Sequence, residues 1–370
     1  MPYHYKINSH LSLFLITILL TVFGLVMVYS ASAILAQEWV GDSYYFLKKQ
    51  LWGAFIGIIL CLVIGSINYK AMQKLVKSIV IVGLIFLVIT LIPELSREAG
   101  GARRWFKLGF LTFSPLEFVK LIAIIFVANF LSRKEEAMSS FSKGVLPILL
   151  FLSILSGLIL FQRSLGTVVI IGLVVFSMLF IGGARFTHIL GTILLMLPFI
   201  YNLVYHVDYR KRRILAFLNP WGDPLDRGYH IIQSYLALGA GGLFGKGLGE
   251  SKQKLFYLPT PHTDFIFSII GEEIGFLGTV SVVVFFVIFT WLGLRIAAST
   301  SDLFGKYLAF GVTALISIQA LLNMGVVTGI FPTTGVPLPF ISFGGSSLVA
   351  AMGGVGLLIS ISKENKKALS

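Results

Sequence analysis

The chain has 370 residues, of which 56% are hydrophobic and 12% charged, where an ordinary soluble domain carries about 25% charge. A soluble fold of this length cannot hide that much apolar surface, which excludes a soluble enzyme, a disordered chain and a secreted disulfide scaffold; the one cysteine, Cys61, can form no internal disulfide. What remains is a polytopic membrane protein. The 29 Lys+Arg against 16 Asp+Glu give a net charge of +13, yet no basic run with interleaved aromatics suggests nucleic acid, so the cations read either as loop charge or as a site for an anionic lipid.

Apolar runs predict ten membrane spans, near residues 11–31, 50–67, 78–93, 115–131, 146–162, 167–183, 187–206, 265–294, 307–328 and 342–361. Runs this long favour helices over barrel strands, because each helix satisfies its own backbone in lipid. The expected fold is therefore an all-α polytopic membrane protein, one domain over residues 1–370, with a large outer loop at about 207–264. The first run is too long for the apolar part of a cleaved leader. Ten spans put both termini on one side, with thirteen basic residues; the short loops of the other side carry seven, and the long loop eight more. Short-loop charge places the termini in the cytoplasm, since long loops cross largely regardless of charge. Fifteen cations then lie outside, against the usual bias, which suits either an anionic ligand there or attraction to lipid headgroups.

Along that loop, Asn219-Pro220-Trp221-Gly222-Asp223-Pro224 is turn chemistry, and Tyr229–Leu238 reads as a short amphipathic helix at the interface. Six glycines follow between Gly239 and Gly249. They would let backbone approach a ligand, or form only a flexible hairpin; without a preceding strand they are no nucleotide-binding P-loop. The loop ends at His262-Thr263-Asp264, directly before a deeply apolar run. Asp264 there is either a helix cap or, half desolvated beside His262, a general base. Glu272 and Glu273 follow inside the eighth span, and Glu117 and Lys120 share one helix face at the start of the fourth. Such groups at membrane depth either line a pocket or pair to hold the bundle together. The Pro- and Gly-rich stretch at 329–341 cannot be a regular helix and reads as re-entrant, tolerated only where protein or water satisfies its backbone.

These stretches, in this order, are similar to the SEDS family (shape, elongation, division and sporulation proteins) over nearly the whole chain. The resemblance rests on Tyr29-Ser30-Ala31-Ser32, Arg104-Trp105, Ser114-Pro115-Leu116-Glu117-Phe118-Val119-Lys120, Asn219-Pro220-Trp221 and Gly241-Gly242-Leu243-Phe244-Gly245-Lys246-Gly247. It continues through Leu258-Pro259, His262-Thr263-Asp264-Phe265, Gly271-Glu272-Glu273, Pro337-Leu338-Pro339 and Ser342-Phe343-Gly344-Gly345-Ser346. The motif set looks more like the division and sporulation branch (FtsW, SpoVE) than the elongation protein RodA. Thr260, Arg163-Ser164 and Phe343 depart from the family pattern, which usually has a carboxylate after Leu-Pro, an Asp before Leu-Gly-Thr and a Tyr before Gly-Gly.

The resemblance implies ten transmembrane helices and a peptidoglycan glycosyltransferase that polymerises lipid II and releases undecaprenyl diphosphate, working beside a class B penicillin-binding protein and other division proteins at the septum. It places the family's essential aspartate on Asp264, its charged pair on Glu117 and Lys120, and its basic loop residues on Arg210 and Arg213. The chemistry needs one base and cations for the leaving diphosphate, unlike the paired carboxylates of a glycosidase. Candidates for the diphosphate are Arg104, Lys107, Lys120, Arg210, Arg213, Lys246 and Lys254; a divalent cation, Mg2+ or Mn2+, could share that task. Two other readings stay open: a flippase that moves lipid II, and a non-catalytic scaffold for the transpeptidase.

Overall fold

The computed structural model describes residues 9–92, 96–99, 102–108, 111–255 and 257–369; the side chains of 97–99, 102–104, 107–108, 111–112 and 367–369 lie outside that description. Helices dominate. In chain order they are α1 (Ser9–Val40), α2 (Tyr45–Ser66), α3 (Lys70–Ile89), α4 (Pro115–Arg133), α5 (Leu146–Phe161), α6 (Leu165–Ile181), α7 (Phe186–Tyr205), α8 (Asp208–Leu218), α9 (Tyr229–Gly241), α10 (Ile266–Ser299), α11 (Leu303–Val327) and α12 (Gly345–Leu369). Among the described residues nine segments are long and apolar enough to cross a membrane, and the shorter α6 is equally apolar. The ten expected spans are thus α1–α7 and α10–α12, and the protein is a multi-pass membrane protein.

The helices overrun the apolar runs that announce them. α1 continues to Val40, and α3 begins at Lys70, so that Lys70, Lys74 and Lys77 form its first two turns. Charge at a helix end need not stop the helix, because long basic side chains reach the interface. α5 is extended at its start by a π-turn, Phe141–Val145, which makes the span 21 residues long.

One feature is absent from the sequence reading. Between α3 and α4 lie three short antiparallel strands, β1 (Arg97–Ala99), β2 (Ala102–Leu108) and β3 (Leu111–Phe113), in the order β1-β2-β3. The sequence reads there only as a basic loop, since it lacks apolar alternation and has one β-branched residue, Thr112. β3 leads into α4 through Ser114, whose backbone N–H donates to Ser346 Oγ at the start of α12 (2.9 Å).

α11 and α12 are the centre of the bundle, with 67% of their most apolar stretch buried, against 11% for α7. The outer faces of α2, α3 and α7 expose Leu, Ile, Val and Phe side chains, as lipid-facing surfaces do. Small residues let the central helices close up: a side chain at Gly53 of α2 would meet the Gly345 backbone of α12, and one at Gly24 of α1 the backbone at Phe340 and Ile341.

The connections after α1, α3, α5, α7 and α11 gather at one end. The longest, between α7 and α10, contains α8, a 3₁₀ turn at Pro220–Gly222, α9 and the glycine-rich stretch. α9 does not lie free at an interface. Ile231, Ile232, Ser234, Ala237 and Gly241 are buried, and Ser234 Oγ donates to the Val327 carbonyl at the end of α11.

Candidate active site

The connection after α11, residues 328–344, is non-helical except for turns. Its carbonyls lie against helices, away from water, so each needs a donor from a neighbour. α11 supplies two amides one turn apart. Gln319 Nε2 donates to the Pro337 carbonyl (3.0 Å), and Asn323 Nδ2 to the Val336 carbonyl (2.7 Å). Ser342 Oγ accepts from the Leu338 N–H and donates to the Thr263 carbonyl. Gln50 of α2 holds the far end, donating to the Ser342 carbonyl and accepting from the Gly344 N–H. The stretch expected to be irregular is thus non-helical, and side chains of α2 and α11 satisfy its backbone.

Asp264 is carried to this segment by a turn, not by a helix. α10 starts at Ile266 with Phe265 as its cap residue, so Asp264 lies two residues before the helix, in the turn that leads into it. The turn is pinned on both sides. The Phe343 N–H donates to the His262 carbonyl (2.8 Å), and Asn323 Nδ2 also donates to the Asp264 carbonyl (2.8 Å). Across from the turn, Gly335 has φ +72°, a conformation that favours glycine. A Cβ there would lie 3.6 Å from Asp264 Oδ2 and 3.8 Å from an Arg213 terminal nitrogen. The bare backbone of Gly335 leaves a gap flanked by one half-buried carboxylate and one guanidinium.

Arg213 comes from α8. It donates to the Thr333 carbonyl (3.0 Å) and stacks on Tyr209, one helical turn earlier on α8 (4.4 Å to the ring centre). His230 of α9 stacks on Phe265 (5.8 Å), and desolvation together with the Arg213 charge lowers its pKa. Three elements thus meet at this gap: α8 with Arg213, the Asp264 turn, and the re-entrant segment with Gly335.

The other sequence candidates divide. Arg210, on the same helix, caps the end of α7 by donating to the Leu203 carbonyl (2.9 Å). Glu117 and Lys120 pair at 2.7 Å, and Lys120 Nζ also donates to Gln319 Oε1 (2.8 Å). They border a cavity of about 20 Å³ between α4, α11 and α12, room for a single water. The pair therefore braces Gln319, and through it Pro337. Arg104 and Lys107 lie on β2, with side chains outside the described residues.

Lys246, Lys254 and His262 take different roles from those expected. Lys246 Nζ meets Glu272 and Lys254 Nζ meets Glu273, each at 2.9 Å, and both carboxylates are buried. Glu272 also accepts from Ser251 Oγ and from the backbone N–H groups of Lys252 and Gln253. Ser30 of α1 completes the shell of Glu273. Two lysines engaged by buried glutamates are not free to hold a leaving diphosphate. His262 is buried between the rings of Phe46 and Phe343 (4.3 and 5.5 Å), and desolvation pushes its pKa down to about 4. It is a neutral packing residue, turned into the protein.

The backbone of the glycine-rich stretch closes a break in α10. At Gly275 (φ +77°) the helix is interrupted. The carbonyls of Glu272 and Glu273 would otherwise accept from the N–H groups of Phe276 and Leu277. Instead they accept from Lys246 and Gly247, while the Phe276 and Leu277 N–H groups donate to the Gly242 and Leu243 carbonyls. The glycine-rich stretch is spliced into the helix ladder, so it is neither a phosphate loop nor a free hairpin. A groove of about 360 Å³ opens beside the break, lined chiefly by Leu238, Phe267, Gly271, Phe276, Val280 and Thr328.

Among the described residues no three His, Cys, Asp or Glu side chains gather into a metal-binding group. These residues do not fit a protein-built cage for Mg2+ or Mn2+, which would need several oxygen ligands at one point.

The chain can now be set beside known proteins. The family model described as "Cell cycle protein", for FtsW, RodA and SpoVE, matches residues 10–367. A probable peptidoglycan glycosyltransferase FtsW from Geobacter metallireducens is 44% identical, covering 96% of this chain and 95% of its own length. Stage V sporulation protein E of Bacillus subtilis is 42% identical, covering 98% and 99%. Among solved structures, a chain of a peptidoglycan synthase complex that coordinates polymerization and crosslinking superposes with a TM-score of 0.78 at 27% identity, covering 96% of this chain and 97% of that one. The rod shape determining protein RodA of Thermus thermophilus superposes at 0.69 with 26% identity, covering 96% of each chain. Matched along almost its whole length in both sequence and fold, the chain belongs to the FtsW/RodA/SpoVE family of cell cycle proteins.

Proposed function

We propose that this chain is a peptidoglycan glycosyltransferase that polymerises lipid II, and that Asp264 is its general base. The observation that carries this reading is the gap at Gly335, where one carboxylate and one guanidinium both approach the same bare backbone at the end of the bundle that bears the long loop. The sugar 4-hydroxyl of an acceptor lipid II attacks the anomeric carbon of the donor chain. A new C–O bond forms, the bond from that carbon to the diphosphate oxygen breaks, and undecaprenyl diphosphate leaves with the electron pair. Asp264 takes the hydroxyl proton, and a single base suffices because the diphosphate needs no protonation. Arg213 supplies positive charge where the leaving group develops its own, with Arg104 and Lys107 of the neighbouring sheet as further candidates. No step is routed through a metal ion. The apolar groove beside Gly275 suits a prenyl tail.

Short-loop charge supports cytoplasmic termini, which put Asp264 at the outer face of the bacterial cytoplasmic membrane. The relatives named FtsW and SpoVE support a role in division or sporulation, hence enrichment at the septum. The likeness to a chain of a synthase complex supports a class B penicillin-binding protein as partner.

The test is polymerisation of purified lipid II by the purified protein, with a transpeptidase that lacks glycosyltransferase activity. Glycan strands are expected from wild type and not from Asp264→Ala, with both proteins folded and binding lipid II. Strands from both would remove Asp264 from the chemistry. Lipid II movement across liposomes without strands would establish the flippase instead.

A further inference from the structure

Asn323 lies in the middle of the polar contacts around Asp264 and is touched by none of the chemistry described above. Its side chain is buried, only 1% exposed, in a largely apolar span. A primary amide there is expensive unless its hydrogens are used. Both are: one goes to the Asp264 carbonyl (2.8 Å) and one to the Val336 carbonyl (2.7 Å). Two carbonyl acceptors fix the orientation of the amide, since turning it over would set oxygen against oxygen. Its own Oδ1 is left buried without a hydrogen-bond partner. An unsatisfied acceptor costs about 1–3 kcal/mol, so the two donations are kept at the expense of the amide's own oxygen.

The two carbonyls belong to the two irregular segments that face each other across the site. Asp264 is in the turn before α10, and Val336 follows Gly335 directly in the re-entrant segment. Neither segment has helical bonds of its own to hold it at that point. Ser342 makes a second tie between them, at Thr263 and Leu338, one residue before the aspartate. Gln319 holds Pro337 alone and touches no part of the turn. Asn323 joins the backbone of the aspartate residue itself to the segment that shapes its gap.

We propose that Asn323 is a positioning residue: by donating one hydrogen to each segment it fixes the distance between the Asp264 turn and Gly335, and so holds the carboxylate across the gap from Arg213. This rests on the polymerase reading for its consequence in the reaction, but the clamp itself does not. Without the amide, the carboxylate keeps its chemical character and loses its place, and a displacement of about 1 Å at a reacting group can lower a rate about 100-fold.

The test uses the full chain in detergent, with Asn323→Leu and Asn323→Ala. Leucine fills a similar volume and suits a membrane core, so it removes the donors with little loss of packing; alanine removes both. Hydrogen exchange is measured in residues 260–268 and 333–340. Initial polymerisation rates on lipid II are divided by the number of lipid II binding sites found by equilibrium titration. That division matters, because misfolded protein loses sites and rate together and leaves the rate per site unchanged. Exchange in both segments is expected to rise about fivefold or more, the scale of one lost hydrogen bond, with the rest of the protein unchanged. The rate per site is expected to fall about 10- to 100-fold in both variants, with lipid II affinity within about twofold. Unchanged exchange in both segments would overturn the clamp. A wild-type rate per site in Asn323→Leu, with the segments loosened, would overturn the positioning role. A wild-type protein that makes no glycan would refute the polymerase reading, and the clamp would then stand or fall on exchange alone.

Discussion

Replacing Lys254 with methionine separates a structural lysine from a substrate-binding one. Its Nζ sits 2.9 Å from Glu273, with the lysine side chain 5% exposed and the carboxylate fully buried. At that distance, with an effective dielectric near 20, the attraction is about 6 kcal/mol. Desolvation of both ions offsets much of it, so the net worth of the pair is small, but removing one partner leaves a buried charge with Ser30 as its remaining partner among the described residues. Such a break costs about 3–5 kcal/mol. Equilibrium unfolding in mixed detergent should show Lys254→Met destabilised by about that amount. Lys254→Met with Glu273→Gln should recover most of it, because the charge that needed the lysine is gone. Polymerase activity per folded molecule should stay near wild type in the double variant. The reasoning is refuted if Lys254→Met is as stable as wild type while losing activity. Lys254 would then be acting on the substrate, as the sequence reading had it.

Three further outcomes follow from the same geometry. Gly335→Ala puts a methyl group into the gap 3.6 Å from Asp264 Oδ2 at a φ of +72°; stability should fall by about 1–2 kcal/mol, and kcat by far more than that loss explains, so a kcat near wild type would mean substrate does not use this gap. His262, with its pKa down at about 4 from an ordinary 6.5, must be neutral in the fold, so its contribution is full above pH 6.5 and is lost as pH falls toward 4. Unfolding titrations should lose about 2 kcal/mol from this group by pH 5 and about 3 by pH 4, and His262→Phe should flatten that part of the curve; superimposable curves would refute the assignment. Gly275→Ala adds a Cβ against the Leu243 carbonyl at a positive φ, and should unseat the glycine-rich splice, seen as new protease cleavage between Gly242 and Gly249 with α1–α7 still intact.

The spans were legible because an apolar run of about 20 residues has few alternatives in a membrane. Their ends were not, since Lys70, Lys74 and Lys77 extend a helix beyond the run that predicts it. The sheet at 97–113 gave no signal of alternating hydrophobicity and was invisible. Asp264 was legible as a carboxylate at a span boundary, but whether it capped the helix depended on the bond its side chain makes, which position alone does not give. For Lys246 and Lys254 the sequence shows a charge and hides the partner: Glu272 and Glu273 are about twenty residues away and meet them in the turn of α10 just before its break at Gly275. The resemblance picks out Arg210 and Arg213 alike, and the α8 geometry separates them: Arg210 turns to the Leu203 carbonyl and Arg213 to the Thr333 carbonyl.

The two amides that hold the site, Gln319 and Asn323, went unread for a physical reason of their own. Gln319 and Asn323 are two polar residues in an apolar helix, four apart and so on one face. Read alone, they suggest a helix–helix contact of the usual membrane kind. Their partners are backbone carbonyls of a segment that is itself irregular, and no side-chain pattern announces a carbonyl in need of a donor. The signal available was a pairing of two facts: a Pro- and Gly-rich stretch that must lie at membrane depth, and buried amides one helix away able to satisfy it. Three irregular segments occur near this end of the bundle, at Gly242–Gly249 with Gly275, at 257–265 and at 328–344, and each is satisfied by groups from elsewhere in the chain. Irregular backbone leaves the rigid helices free to supply side chains from several directions to one point, and that is how Asp264, Arg213 and the bare backbone of Gly335 come to face the same gap.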